Sequence, residues 1–254
     1  MMTAKTQYSY IKYQPDGSGV FYPERPDELP DAMYQFPKLV HTMDILLCRY
    51  EDRPDVLVSG DNAIYYEQGN PRVHRSPDGF IAFGVDRDAI LQENGYKVWE
   101  VGKPPDWVLE IASPSTARVD LGIKREIYAS IGIGEYWRHD LSGGDYYGEP
   151  LVGEYLQNGQ YHRFEIRTSD DGVAWGHSPA LNLDLHWGDY RLHYFDPVAG
   201  EWLLGLREHT VLLADERAAR LEGRAELEAE RAAHEQTRRR LRHVEDELLR
   251  RGGQ

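Results

Sequence analysis

The chain has 254 residues, a single cysteine and a formal net charge of −14. That length supports one full domain with a sizeable core plus an extension. Cys48, the lone cysteine, excludes an intrachain disulfide and a cysteine-based metal cluster, and no apolar run approaches the length of a membrane span. Residues 207–254 carry 11 basic and 11 acidic side chains, so the net charge of −14 resides in residues 1–206. Such a surface opposes a polyanion, because neutralisation of phosphate by Lys and Arg dominates non-specific affinity. The first residues, Met1-Met-Thr-Ala-Lys-Thr-Gln7, lack a signal-peptide core. Together with the single thiol, this predicts a cytoplasmic, reducing setting.

Residues 1–30 are rich in Tyr, Pro, Asp and Glu without periodicity and read as an irregular arm, with one short strand near Tyr8–Tyr13. The spacing of Leu39, Met43, Leu46, Leu47 and Tyr50 predicts one apolar face of a helix over residues 31–52, which Pro54 stops. Cys48 lies in that segment and reads as a buried structural thiol. Val56–Ser59 alternates as a strand, and residues 62–67 read as its neighbour, closed by the turn Gln68-Gly-Asn-Pro71. Residues 78–85 and 107–112 are short apolar runs suited to buried strands. Ser113-Pro-Ser-Thr116 offers hydroxyl caps and an early proline, which announces a helix to Ile131. Its inward face is expected to carry Leu121, Ile127, Tyr128 and Ile131, and Gly132 and Gly134 end it. Residues 135–140 read as a strand, and short strand-like runs between turns continue to Leu206 as the β-rich second half of the same domain, residues 31–206. Residues 207–251 read as a long charged helix. Val211, Ala214, Ala218, Leu221 and Ala225 alternate three- and four-residue steps, and Leu241, Val244 and Leu248 resume in a shifted phase. That is a discontinuous coiled-coil seam, interrupted by Glu228 and Glu235. It predicts a homodimer or another coiled-coil partner, with a solvated single helix held by charge pairs as the alternative.

Chemistry concentrates between Ser76 and Asp140. Asp78 opens one predicted buried strand, and Glu110 lies near the end of another, flanked by apolar residues. Paired strands would bring the two carboxylates together. Phosphodiester hydrolysis needs an activated water and neutralisation of charge on the phosphate, and a hard cation held by carboxylate oxygens supplies both. Asp120 and Lys124 are four residues apart and share a helix face that folds back over the end of the Glu110 strand. Lys124 can orient the attacking water or stabilise the phosphate there. Each residue alone has an ordinary reading: a turn aspartate for Asp78, a surface strand position for Glu110, and a surface ion pair for Asp120 and Lys124. Zinc-protease histidine pairs, a phosphate-cradling Gly-Lys-Ser/Thr loop and a nucleophile elbow are all missing from the sequence.

These segments resemble the Uma2 family of endonucleases, within the PD-(D/E)XK nuclease superfamily. The resemblance rests on Tyr65-Tyr-Glu-Gln-Gly-Asn-Pro71, Ser76-Pro-Asp-Gly-Phe-Ile-Ala-Phe-Gly-Val85, Val98-Trp-Glu-Val-Gly-Lys103 and Pro105-Asp-Trp-Val-Leu-Glu-Ile-Ala-Ser-Pro-Ser-Thr116. Asp120 with Lys124, Gly132-Ile-Gly-Glu-Tyr-Trp137 and Tyr194-Phe-Asp-Pro-Val-Ala-Gly200 extend it, as does the charged C-terminal helix. It implies an α/β, restriction-endonuclease-like fold, in which a central mixed sheet is flanked by helices, with the long C-terminal helix added. By that likeness Asp78, Glu110 and the backbone carbonyl of Ile111 are ligands of Mg²⁺, with Mn²⁺ as a substitute, and DNA is the substrate. The superfamily lysine two residues after the glutamate is replaced here by Ala112, which makes Lys124 its counterpart and Asp120 an orienting partner. The superfamily's N-terminal helix often adds a polar or acidic residue, for which Gln35, His41 and Asp44 are the candidates.

The resemblance, added to the two carboxylates and the lysine, implies a Mg²⁺-dependent endodeoxyribonuclease. Two rivals remain open. One is a catalytically silent binding or regulatory module assembled through its coiled coil, which the acidic surface favours. The other is a metal-dependent hydrolase of RNA or nucleotides.

Overall fold

A computed structural model of the chain describes residues 12–13, 20–21, 32–93 and 95–252, with side-chain environments described for residues 37–92 and 95–243. In chain order the elements begin with β1 (Lys12–Tyr13), β2 (Val20–Phe21), α1 (Ala32–Arg49), β3 (Val56–Ser59), β4 (Ile64–Tyr65) and β5 (His74–Arg75). They continue with β6 (Gly79–Phe83), α2 (Arg87–Glu93), β7 (Tyr96–Lys97), α3 (Val98–Val101) and β8 (Trp107–Ile111). Next come α4 (Ala117–Val119), a π-helical turn over Asp120–Lys124, α5 (Arg125–Ile131) and β9 (Glu135–His139). The last are β10 (Leu151–Gln157), β11 (Gln160–Arg163), β12 (Arg167–Thr168), β13 (Ala174–Ser178), β14 (Leu183–Gly188), β15 (Arg191–Asp196), β16 (Glu201–Trp202) and α6 (Leu206–Gly252). The chain divides into two units, Met1–Gly205 and Leu206–Gln254. No described helix is long and apolar enough to cross a membrane.

The first unit is organised around β8. It lies inside the six-stranded sheet β11-β10-β9-β8-β6-β3, antiparallel to β6 and parallel to β9. All five of its residues are buried, which explains a run too apolar for a strand with one wet face. Trp107, Leu109 and Ile111 join Ile81 and Trp137 in a core with Met43 and Leu46 of α1 and with Leu183, Leu185 and Tyr194 of a second sheet. Val108 belongs to another core, with Phe80, Tyr96, Tyr128 and Tyr136. The second sheet, β12-β13-β14-β15-β16, is antiparallel throughout. The fold is the mixed α/β arrangement predicted, with helices flanking the central sheet.

Some local expectations are corrected. Ile64–Tyr65 pairs with β5 and β7 in a separate three-stranded sheet, while β3 takes β6 as its partner. β6 has the longer apolar run and so fits the buried side of β3. Leu47 is 51% exposed and Ile45 is buried in its place, because the inward stripe of α1 runs through Met43, Leu46 and Tyr50. Cys48 is half-buried rather than enclosed. The strand expected near Tyr8–Tyr13 falls partly outside the described residues, of which Lys12–Tyr13 pairs with Val20–Phe21.

His139 at the end of β9 is fully buried, and neither ring nitrogen has a hydrogen-bond partner. Burial lowers its pKa to about 3; the Asp140 carboxylate and the Pro150 backbone oppose the shift, and His193 and Lys38 add smaller contributions to it. An unfolded histidine takes up a proton near pH 6.5, whereas this one resists until far lower, so stability falls as pH drops through that window. Between pH 7 and pH 5 the loss is about 2 kcal/mol. We expect His139→Phe to retain about that much more of its stability at pH 5 than the parent. Urea titrations at the two pH values measure it, and parallel losses in both proteins would contradict this origin.

Candidate metal and phosphodiester site

The Asp78 carboxylate is placed by its neighbours on both sides in sequence and in space. Its Oδ2 accepts a 2.6 Å hydrogen bond from the Ile111 amide, which ties the start of β6 to the end of β8. A Cβ on Gly79 would lie 2.6 Å from Met43 Sδ of α1, so that flexible side chain would have to shift to admit one. Gly60 is under the stricter constraint, since its Cβ would lie 2.5 Å from the Asp78 carbonyl oxygen of the backbone. Asp61, in the left-handed region at φ 52°, donates its amide to the Pro77 carbonyl at 3.0 Å.

Glu110 is 1% exposed. Its Oε1 accepts from the Tyr128 hydroxyl at 2.6 Å and its Oε2 from Lys124 Nζ at 2.8 Å. Lys124 also lies 2.8 Å from Asp120 Oδ1, as an ion pair outside hydrogen-bond alignment. Asp120 Oδ2 accepts from the Tyr147 hydroxyl at 2.8 Å, and the Asp120 carbonyl accepts from Tyr136 at 3.0 Å. One connected line therefore runs from Tyr128 through Glu110, Lys124 and Asp120 to Tyr147.

The π-turn makes this line possible. In an α-helix a four-residue step overshoots a full turn. The wider π-turn over Asp120–Lys124 reverses that drift, so Asp120, Lys124 and Tyr128 align on the inner face. Leu121, expected inside, is 43% exposed for the same reason, and Ile123 faces out beside it. Tyr147 is delivered by the loop after β9. Asp140 builds that loop: its Oδ1 accepts from the Ser142 amide and its Oδ2 from the Tyr146 and Tyr147 amides, all at 2.9 Å.

Burial pushes the carboxyl of Asp78 up to about 6; the Ile111 amide and Lys124 pull it back, while Asp120 and Asp61 add to the rise. Burial likewise pushes Glu110 up to about 8, with Lys124 opposing and Asp78 and Asp120 reinforcing. Burial disfavours charge on Lys124 too, but Glu110 and Asp120 outweigh it and raise its pKa. Lys124 is thus an ammonium, a donor and a fixed charge, rather than a base.

A family model described as "Uma2: Putative restriction endonuclease" matches residues 18–186, and this span contains every residue of the line from Tyr128 to Tyr147. The chain belongs to the Uma2 family. No curated protein matches it. Among solved structures, that of "a putative nuclease belonging to DUF820 from Anabaena variabilis" is similar at 13% identity and a TM-score of 0.38, covering 63% of this chain and 82% of that one.

Of the residues singled out in sequence, the fold brings together Asp78, Glu110, Asp120, Lys124 and Ile111 of this Uma2 domain. His41 lies elsewhere, edge-on to His193 of β15 at 6.0 Å between ring centres. Asp44 is half-buried on α1, and the side chain of Gln35 is outside the described residues. Tyr128 and Tyr147, which hold Glu110 and Asp120, are not among the residues that the sequence singles out for the site. Tyr128 left a signal, four residues after Lys124; Tyr147 left none, because a loop carries it in. Replacing Tyr128 by Phe leaves a buried carboxylate oxygen without its donor, and we expect a loss of about 1–3 kcal/mol in urea unfolding. An unchanged midpoint and slope would contradict this account of the Glu110 hydrogen bond.

Proposed function

We propose that the chain is a metal-dependent nuclease that hydrolyses DNA phosphodiester bonds, with Asp78 and Glu110 as the ligands of a Mg²⁺ ion and Lys124 assisting. The observation that carries the reading is the charge of the buried cluster. Asp78, Glu110 and Asp120 act on one another electrostatically, and the Lys124 ammonium opposes them. Once all three acids are ionised the cluster would hold −2, the charge that one divalent cation balances; Glu110, raised to about 8 by burial, reaches that state at neutral pH as a cation takes the place of its proton. All donors are hard oxygens, the Ile111 carbonyl included, which suits Mg²⁺ or Mn²⁺. No group of three His, Cys, Asp or Glu side chains arranged to hold a metal occurs among the described residues. Mg²⁺ tolerates that poverty, because it keeps several waters and binds through one or two carboxylates.

A bound divalent cation supplies neutralisation of the phosphate and a water of lowered pKa. The chain's own groups do the rest. Asp78 is oriented by the Ile111 amide, and Glu110 is oriented by Tyr128. Lys124, held protonated, can donate to a phosphate oxygen and stabilise charge that develops in the transition state. The restriction-endonuclease description of the family supports DNA over RNA or a nucleotide. Supercoiled plasmid and a structured RNA, each incubated with Mg²⁺ or Mn²⁺, test this together. We expect plasmid cleavage, reduced about 10²–10³-fold by Lys124→Met and abolished by Glu110→Ala. Cleavage that persists undiminished in the Glu110→Ala protein would refute the assignment, and turnover of RNA alone would move the substrate.

For α6 we propose association with a second copy. The helix is 47 residues long, and the apolar side chains described on it are exposed, Leu221 by 67% and Leu241 by 58%. Most helices in water owe their stability to packing an apolar face, and the seam positions provide one. Light scattering should give a dimer mass for the full chain and a monomer mass for a chain ending at Leu206. Equal monomer masses for both would refute it.

A further inference from the structure

We propose that Lys124 is an internal counter-ion that a divalent cation displaces from Glu110, and that Asp120 is the positioning residue that receives it. This rests on the reading of Asp78 and Glu110 as the metal ligands. Both oxygens of Glu110 are engaged, Oε1 by Tyr128 at 2.6 Å and Oε2 by the ammonium at 2.8 Å. Each oxygen keeps a further lone pair, but a cation on either one lies beside the ammonium that Oε2 already holds. Two positive charges on one buried carboxylate repel each other strongly where water is scarce.

The displaced ammonium already has a place to go. Asp120 Oδ1 lies 2.8 Å from Nζ in the present arrangement, so a small rotation of the side chain turns this ion pair into an aligned hydrogen bond. Asp120 itself is fixed. It is fully buried, its Oδ2 is held by Tyr147 at 2.8 Å, and its carbonyl is held by Tyr136 at 3.0 Å. The π-turn puts both residues on one rigid turn. Asp120 does not complete a three-acid metal group with Asp78 and Glu110, which leaves it free to serve the ammonium. Lys124 thus keeps its charge beside the reacting phosphate while Glu110 passes to the metal.

The consequence has a sign that a structural lysine would not produce. Calorimetric titration of the full chain with Mn²⁺, at pH 7 and pH 9, should show Lys124→Met binding about tenfold more tightly than the parent at pH 9, because a competitor has been removed. The same variant loses cleavage, so binding and activity move in opposite directions. Asp120→Asn should weaken Mn²⁺ binding about tenfold, because the ammonium is then left with Glu110 alone. Equal or weaker binding by Lys124→Met at both pH values overturns the proposal. A structure of the parent loaded with Mn²⁺ gives a second test that needs no variant: Nζ should remain on Asp120 and leave Glu110. An ammonium still hydrogen-bonded to Glu110 with Mn²⁺ on that carboxylate overturns the proposal as well. Absence of Mn²⁺ binding to the parent removes the metal-site reading itself, a failure distinguishable from either of these.

Discussion

The burial of Glu110 in the central strand is the constraint from which the rest of the site follows. A carboxylate with 1% exposure cannot be solvated by water, so its charge must be met by protein groups or lost to protonation. Both responses are present. Tyr128 and Lys124 satisfy its oxygens, and its pKa still rises to about 8. Lys124 is itself half-buried and takes a second anion, which Asp120 supplies. Asp120 in turn needs Tyr147, and Tyr147 needs the loop organised by Asp140. Each buried polar group calls for the next, until the chain of requirements reaches the surface.

This arrangement carries a desolvation cost. Strand β8 would pack more simply with an apolar residue in place of Glu110, because replacing a buried ion pair by hydrophobic side chains is often neutral or stabilising. Retaining several ionisable groups with displaced pKa values in one place is the pattern of a working site. It also answers the electrostatic objection raised by a net charge of −14. The attraction for phosphate does not have to come from a basic surface if the acids concentrate a cation at one point.

Much of this was legible in the sequence. Asp78 beside Gly79, and Glu110 inside an apolar pentapeptide, stand out because polar residues at those positions are unexpected on buried strands. The pairing of β6 with β8 then brings them near each other, as the two short apolar runs suggested. The four-residue spacing of Asp120 and Lys124 was readable too. Leu121 was misplaced because periodicity arguments assume a constant turn, and one π-turn shifts the phase of everything on its face. Ile64–Tyr65 was misassigned because two strand-like residues cannot declare which partner they will take.

The sequence by itself determined the central strands β3, β6, β8 and β9 and the long helices α1 and α6, and it singled out Asp78, Glu110, Asp120 and Lys124 as candidates, since apolar runs, helical periods and turn residues are local properties of the chain. Ser113 shows the limit of such local signals: its hydroxyl accepts from the Thr116 amide at 3.1 Å and so closes the turn before the helix, while the N-cap residue itself, Thr116, makes no side-chain cap hydrogen bond. Only the tertiary structure decided that Lys124 bridges two acids, and that a tyrosine from the helix and another from a distant loop close the two ends of that bridge. Those contacts join residues 14, 18 and 27 positions apart. Their distances depend on how β8, the π-turn and the loop after β9 pack together, which no local pattern encodes.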